Sequence, residues 1–502
     1  MNYRLSRRKL LGTTAAATAA ASLGRFGSAF AAAGTPEQLV ERSVVEIAAM
    51  IRSKQVSAVD VVKACYARID LVNPRINAVV AQCRERALAE AAEADALLAR
   101  GQIKGPLHGV PFTVKDSFDT AGVVSTGGTL GRKDFVPGKD ATVVARVREA
   151  GAILLGKTNT PEFTLGGGAR ETFNLLHGQT YNPYGEGYLC SGSSGGAGAI
   201  VAAAGSYFDI GSDYGGSIRG PAFANGIAGL KPTYGRVPRT GHIVGYGGPF
   251  DTFQEIGPLT RRVADIELLL PIMMGQDSSD AAMAPVPLGA SKDVDLSKLR
   301  VAWYDDNGSV KVSGEVQAII KQCVGYFRAL GCKVKEDRPP RFKELADTRS
   351  AFSGADGRAF MRRLLKKHGT TQASPGLNIS GDAVASAEFT RLCEKMDAIK
   401  SEQLAWFEQY DLILCPVTWR AVQKVPAEFL KSPEWGAGYG GMTSEYNTTG
   451  WPAGVVRVGT SKESKGLPLG IHVVAQPWRD DVVLAAMAHI EAQTGGWIPP
   501  PL

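Results

Sequence analysis

The sequence predicts an α/β fold: one large domain over residues 34–502, with a central mixed, largely parallel sheet flanked by helices. Short apolar runs that end in glycine or a polar residue recur along the chain, as GVPFTVKD, GAILLGKTN, SYFDIGSD, LRVAWYDD, YDLILCPV and GLPLGIHVVA. Between several of them lie stretches with helical patterns, such as 141–150 and 197–204. Continuous apolar strands alternating with helices make a sheet buried on both faces. Finally, no Pro- or Ser-rich linker, repeat or low-complexity tract follows residue 33. The remaining 469 residues would suit two or three domains by length alone, but unbroken texture favours one.

Residues 1–33 stand apart. Paired Arg7 and Arg8 in SRRKLLG precede an Ala-rich apolar run, and Ala29-Phe30-Ala31, or Ala31-Ala32-Ala33, offers a small-residue cleavage site. Charged head, apolar middle and cleavage site in that order predict a twin-arginine signal peptide and a periplasmic or secreted protein. No later segment approaches the roughly 18 uninterrupted apolar residues of a membrane span. The leader carries Arg4, Arg7, Arg8, Lys9 and Arg25 and no acid, which leaves 51 of the 56 basic residues against 49 acidic ones. A net charge of +2 is no footprint for nucleic acid. The densest basic run, MRRLLKKH from Met361, repeats its charges at helical spacing and reads as a solvated helix face. The seven cysteines include no C-x-x-C and no metal-ligand spacing with histidine, so neither an essential disulfide nor a metal is expected.

After the leader the chain reads as helical. Thr35, Pro36 and Gln38 supply an N-cap, a first-turn proline and a capping-box glutamine, and Leu39, Val44, Ile47 and Ile51 follow at roughly helical spacing. A second box, Ser57 with Asp60, opens the next helix, and the Ala- and Glu-rich stretch 84–100 makes a third.

The chemistry concentrates in two serine-glycine loops, CSGSSGGAGA from Cys190 and SDYGGSIRGP from Ser212. None of the six histidines lies in either. Within the first, GSSGG satisfies G-x-S-x-G with Ser194 central, and a helical run follows as a nucleophile elbow requires. No HGGG-like segment precedes it, however, and as a phosphate loop it lacks the G-K-[ST] ending. In the second, Gly215 and Gly216 permit close backbone approach and leave amide hydrogens to face an oxyanion, with Ser217 at the end of the nest. A tight turn with a capping serine is the alternative. A nucleophilic serine needs a base, and Lys115 ends the apolar run GVPFTVK. A strand-end lysine ordinarily reaches solvent; a buried one loses its charge. To be mostly neutral at pH 7 it must titrate about 3 pH units or more below the ordinary ~10.4, about 4 kcal/mol or more of desolvation and hydrogen bonding.

Taken together, GVPFTVKD, SGSSGG and GSDYGGSIRGPA, followed by GLKPTYGRVP, resemble the amidase signature family. The resemblance runs on through YDLILCPV and NTTGWPAGVVRVG to GLPLGIHVVA, and so spans nearly all of residues 34–502. It implies an amide hydrolase without cofactor, working through a Ser–Ser–Lys triad. Ser217 matches the family nucleophile, Lys115 the lysine, and Ser193 the bridging serine, which the family holds on a cis peptide bond. The amides of Tyr214, Gly215, Gly216 and Ser217 match the oxyanion hole. Ser194 becomes a supporting loop residue, and Asp213 and Arg219 are expected to brace the loop by charge-assisted hydrogen bonds. Ser191-Gly192 stands where the family commonly has proline-glycine, and Tyr214 where it has threonine or an isoleucine-like residue; both departures bear on substrate choice. Residues 346–445 are the least family-like part, with WGAGYGGM from Trp435 suggesting an aromatic-bearing loop that shapes the pocket. The expected partner is a small-molecule amide, with no nucleic acid and no membrane span; a homodimer is left open. An amidase subunit of a tRNA-dependent amidotransferase and a non-catalytic binding protein on this fold are the competing readings.

Overall fold

The computed structural model describes residues 35–166, 171–245, 248–424 and 442–502. The leader and residues 435–441 of WGAGYGGM, Trp435 among them, lie outside the described residues.

The first helices show how local capping sets chain direction. Thr35 and Gln38 form the expected reciprocal box ahead of α1 (Pro36–Val40). The apolar pattern expected to run on as one helix instead breaks at Glu41 and Arg42. Ser43 and Glu46 form a second reciprocal box that starts α2 (Val44–Arg52). Two short helices, rather than one, turn Leu39, Val44, Ile47 and Ile51 into the core. Buried Arg261 then donates to the carbonyls of Val40 and Arg42 at 2.8 and 2.7 Å, satisfying groups that the end of α1 leaves unpaired. Ser57 caps α3 (Ala58–Ile76) through the Asp60 amide, but its box is not reciprocal. The remaining first-turn amides of Ala58 and Val59 donate to Asp95 of α4 (Arg84–Ala99), at 2.7 and 3.1 Å.

Thirteen strands follow in chain order: β1 (Val79–Gln82), β2 (Pro111–Lys115), β3 (Ile153–Thr158), the hairpin β4 (Phe173–Asn174) and β5 (Gly178–Gln179), β6 (Phe208–Asp213), β7 (Ala228–Lys231), β8 (Glu255–Thr260), β9 (Arg300–Trp303), β10 (Lys333–Glu336), β11 (Leu412–Cys415), β12 (Ala453–Thr460) and β13 (Pro468–Ala475). Eleven of them form one sheet in the order β1-β3-β2-β6-β8-β7-β12-β13-β11-β9-β10. It is mixed, with helices against it. The blocks β3-β2-β6 and β11-β9-β10 are parallel, and the strands between them pair antiparallel. All six apolar runs that predicted strands are strands here: β2, β3, β6, β9, β11 and β13. β2, β3, β6, β11 and β13 are buried at every position, which explains their continuous rather than alternating texture, and β7 and β8 are buried throughout as well. β10, reading KVKE, is mostly exposed at the sheet edge, where charged residues discourage pairing with another chain.

The site is placed by β2 and β6. They run parallel with Thr113 opposite Asp209 and Val114 opposite Ile210, so their carboxyl ends open at the same edge. The serine-rich loop 190–194 leads into α5 (Gly195–Ala202), and the chain after β6 turns into α6 (Arg219–Ala224). The basic run at Met361 falls in α7 (Ala359–Lys367), with Phe360, Met361 and Leu364 buried and Arg362, Arg363, Lys366 and Lys367 exposed, the solvated face its spacing predicts. All seven cysteines are free thiols, and no described helix is long and apolar enough to cross a membrane.

Candidate active site

Lys115 closes β2 and is wholly buried. Its Nζ donates to Ser193 Oγ at 2.7 Å, to Ser212 Oγ at 2.9 Å and to Ser212 O at 3.4 Å. Burial lowers its titration to about 7, while the charges of Asp213 and Asp209 pull the other way. An amine that titrates there is about half neutral at pH 7 and mostly neutral above it. Asp209 lies below it on β6, accepting from Thr113 and Thr158, and burial pushes its carboxyl up to about 7.

Ser193 follows a cis peptide bond, Gly192–Ser193. Ser194 faces inward: its N–H donates to Ser217 O at 3.2 Å and its hydroxyl to Ser212 O at 3.3 Å. It is fully buried and ties the first loop to the second, so it is no exposed elbow nucleophile. Ser217 is half-buried, lines the cavity and makes no hydrogen bond through Oγ among the described residues.

The second loop is built around Asp213. Its carboxylate accepts the amides of Gly216, Ile218 and Arg219, and the Arg219 guanidinium donates to both oxygens at 2.9 and 3.0 Å. Arg219 in turn donates to Thr443 O, Asn447 Oδ1 and His472 Nε2. Burial alone would raise the Asp213 carboxyl, but Arg219 and these hydrogen bonds hold it well below the ordinary carboxylate range. A buried ion pair with all its hydrogen bonds made fixes the loop's shape. At Gly216, φ is +127° and a Cβ would stand 2.2 Å from Thr443 Oγ1, so only glycine fits.

This bracing separates the loop amides. The four amides matched to the oxyanion hole are not equivalent: Gly216 N–H is engaged by Asp213 Oδ1 at 2.7 Å, because the loop closes over that carboxylate. The amides of Gly215 and Ser217 donate to no protein acceptor among the described residues, and they border the cavity with Tyr214. Tyr214 also anchors the loop outward. Its hydroxyl meets Ser353 Oγ at 2.8 Å, its carbonyl accepts from Arg349 at 2.5 Å, and the Arg349 guanidinium lies 4.7 Å from its ring centroid.

Ser193, Ser217 and Gly215 open onto a cavity of about 290 Å³. Leu165, Phe223, Val417 and Val422 make its apolar walls. Glu171 also lines it, and burial pushes that carboxyl up to about 7. Val417, Thr418, Val422 and Thr443 are the contributions of the region 346–445 to the lining.

Two residues near Lys115 escaped the sequence reading. Ser212 opens the motif SDYGGSIRGP, and His242 lies in TGHIVG, outside both serine loops. The folded chain brings His242 Nε2 to 3.0 Å from Ser212 Oγ. The spacing of Ser212 before GGS was the only local signal; nothing in the sequence links it to His242.

Fold and sequence together give the class, an amide hydrolase built on a single domain with a mixed sheet and flanking helices. The chain belongs to the amidase family, whose sequence model matches residues 60–484. The indoleacetamide hydrolase of Bradyrhizobium diazoefficiens is 34% identical over 466 residues, 90% of this chain and 86% of that protein. A glutamyl-tRNA(Gln) amidotransferase subunit from Moorella thermoacetica is 31% identical over 483 residues, 89% of this chain and 96% of that protein. Among solved structures, a 6-aminohexanoate cyclic dimer hydrolase complexed with substrate superposes with a TM-score of 0.81 at 27% identity, covering 92% of this chain and 99% of that one. The protein is an amidase, acting on amide bonds.

Proposed function

We propose that the protein is an exported amidase that hydrolyses a small carboxylic amide to its acid and ammonia or an amine, through Ser217, Ser193 and Lys115. The observation that carries this reading is the 2.7 Å contact of Lys115 Nζ with Ser193 Oγ, at a lysine that burial brings to about 7. Neutral Lys115 takes the Ser193 hydroxyl proton as Ser193 takes that of Ser217, and Ser217 Oγ attacks the amide carbonyl. In this reading the developing oxyanion is held by the amides of Gly215 and Ser217, which border the cavity and donate to no protein acceptor among the described residues. The relay then runs backwards: Lys115 returns its proton through Ser193 to the departing nitrogen, because an amine must leave protonated. Water next attacks the acyl-enzyme and loses a proton to the same relay, which returns it through Ser193 to Ser217 Oγ as the ester bond breaks and the acid departs. A cavity of about 290 Å³ with mostly apolar walls suits a small acyl group. Residues 346–445 shape that pocket in this reading.

The test is a fluorophosphonate probe followed by an amide panel. Ser217 should be labelled, Ser217→Ala should not be, and labelling at Ser194 instead would overturn the assignment. The likeness to an amidotransferase component supports a second reading, with protein and tRNA partners. The Arg7-Arg8 leader and the nearly neutral charge of the remainder weigh against it. Turnover of simple amides by the purified chain alone separates the two. Export rests on residues 1–33; replacing Arg7 and Arg8 by Lys should retain precursor in the cytoplasm, and unchanged export would remove that part of the reading.

A further inference from the structure

The hydrogen-bond chain at Lys115 does not end at the serine pair. Ser212 Oγ stands 2.9 Å from Lys115 Nζ and 3.0 Å from His242 Nε2, and all three residues are buried. A neutral amine has two N–H groups and one lone pair. Ser212 O can only accept, so it takes one N–H, at 3.4 Å. The Ser212 hydroxyl has two choices. It can accept the second N–H, which leaves the lone pair facing the hydroxyl of Ser193, the polarity a base requires. Alternatively it can aim its own proton at the lone pair, and Lys115 is then able only to donate to Ser193. The outcome depends on where the Ser212 proton goes, and among the described residues the only other acceptor in reach of Ser212 Oγ is His242 Nε2.

We propose that His242 is a positioning residue of this site: neutral, protonated on Nδ1, it accepts the Ser212 hydroxyl proton on Nε2 and so directs the lone pair of Lys115 at Ser193. The inference rests on the Ser–Ser–Lys reading above and goes one layer behind it. His242 touches neither substrate nor the reacting atoms. Its surroundings support a neutral ring: burial, then the charges of Lys115 on β2 and Arg239 on its own segment, push the imidazole well below its ordinary range. Phe118 packs against it at 5.1 Å between ring centroids, steeply inclined, and Nδ1 has no hydrogen-bond partner among the described residues. The bond to Ser212 is therefore the one that distinguishes the tautomers. Only the Nδ1–H form serves both states of the base without a rearrangement. Once Lys115 has gained its proton, its three N–H groups find Ser193 Oγ, Ser212 Oγ and Ser212 O, all accepting. With Nε2–H, the Ser212 hydroxyl proton has no place to go except the nitrogen of Lys115.

The experiment uses the full mature chain with ¹⁵N-labelled histidine. Long-range ¹H–¹⁵N spectra report which ring nitrogen carries the proton, and the loss of one ring's signals in His242→Gln assigns His242. A bare Nε2 and a protonated Nδ1 at neutral pH are expected; a protonated Nε2 overturns the proposal. Kinetics supply a second arm. His242→Leu should lower kcat by about tenfold to a hundredfold with KM little changed, since the loss falls on proton transfer. In His242→Gln the side-chain carbonyl can still accept from Ser212 and should restore most of the rate. Adding Ser212→Ala to His242→Leu should recover rate, because the misdirected hydroxyl is gone. Additive losses in the double variant, or a Gln variant as slow as the Leu variant, would show a merely packing role and sink the inference. Lys115→Ala measured alongside keeps the two levels apart. If it stays active, the triad reading itself has failed; if it is dead while Nε2 proves protonated, only the role of His242 has.

Discussion

Lys115 and Lys231 end β2 and β7 of the same sheet, and both are fully buried, yet their surroundings differ in kind. Lys231 Nζ lies 3.1 Å from Glu255 Oε1 and 3.0 Å from Pro232 O, and the other Glu255 oxygen accepts from Asn447, which also holds Asp213. Lys115 meets two serine hydroxyls and a carbonyl, with Asp209 and Asp213 acting on it only at longer range. Burial disfavours the ammonium in both places. At Lys231 a touching carboxylate opposes it and completes a structural ion pair; at Lys115 nothing in contact carries a charge, and the amine is brought to about 7. A buried lysine becomes a base by lacking a carboxylate partner while keeping hydrogen-bond partners that tolerate either protonation state.

Activity gives the largest contrast. Lys115→Ala and Ser217→Ala should each lower kcat/KM by about 10³-fold or more with the fold intact by circular dichroism, as losses of groups that act as a unit do. Lys231→Met should leave the folded fraction within about tenfold of the parent, since it touches no reacting atom. A Lys231 variant as inactive as Lys115→Ala would erase the distinction.

Stability should invert the order. Lys231→Met strands Glu255 in the interior and should cost roughly 3–5 kcal/mol in denaturant unfolding. Lys115→Met removes a buried amine without stranding a contacting charge and should raise Tm. The sign follows from linkage: with a folded value of about 7 against 10.5 for the free side chain, the unfolded chain binds a proton that the folded chain lacks. The contribution of this group to stability therefore rises with pH between about 7 and 10.5, and Lys115→Met should flatten that slope. A fall in Tm in Lys115→Met would mean that the lysine is held charged.

The pH profile tests the same point in catalysis. With a neutral amide substrate, kcat/KM should rise through pH about 7 and hold above it, as the deprotonated amine becomes the major form. His242 and His472 are both pushed well below the ordinary imidazole range by burial and neighbouring cations, so a limb near 7 does not belong to them. A limb at pH 4–5 would point away from Lys115.

The smallest effects belong to the histidines farther out. His472→Asn loosens Arg219, whose guanidinium lies 3.1 Å from Nε2, and should cost less than about tenfold in rate. His108 bonds only to the Lys104 amide and Ala94 O, so His108→Gln should leave the kinetics unchanged.

Strands buried on both faces were legible because burial writes itself as a continuous apolar run. β8, reading EIGPLT, was not, since Gly257 and Pro258 interrupt the run although every residue is buried. β10 was hidden by its edge position, which makes KVKE look like a loop. The break at Glu41 and Arg42 had a local signal, the S-x-x-E of Ser43 and Glu46, that the longer apolar pattern masked. Asp95 capping α3 had none, because the cap comes from the next helix.

By itself the sequence determined the α/β class and singled out Lys115 and Ser217, because glycine loops and a lysine ending an apolar run are local features with local physical reasons, while Ser193 came only from the resemblance to the amidase signature family. Only the tertiary structure decided the burial of Lys115, which loop amides stand free among the described residues, and that Ser212 and His242 stand behind Lys115. Those depend on distances between elements far apart in the chain and on how completely the rest of the sheet excludes water from them. Desolvation belongs to the assembled fold, and no stretch of sequence carries it.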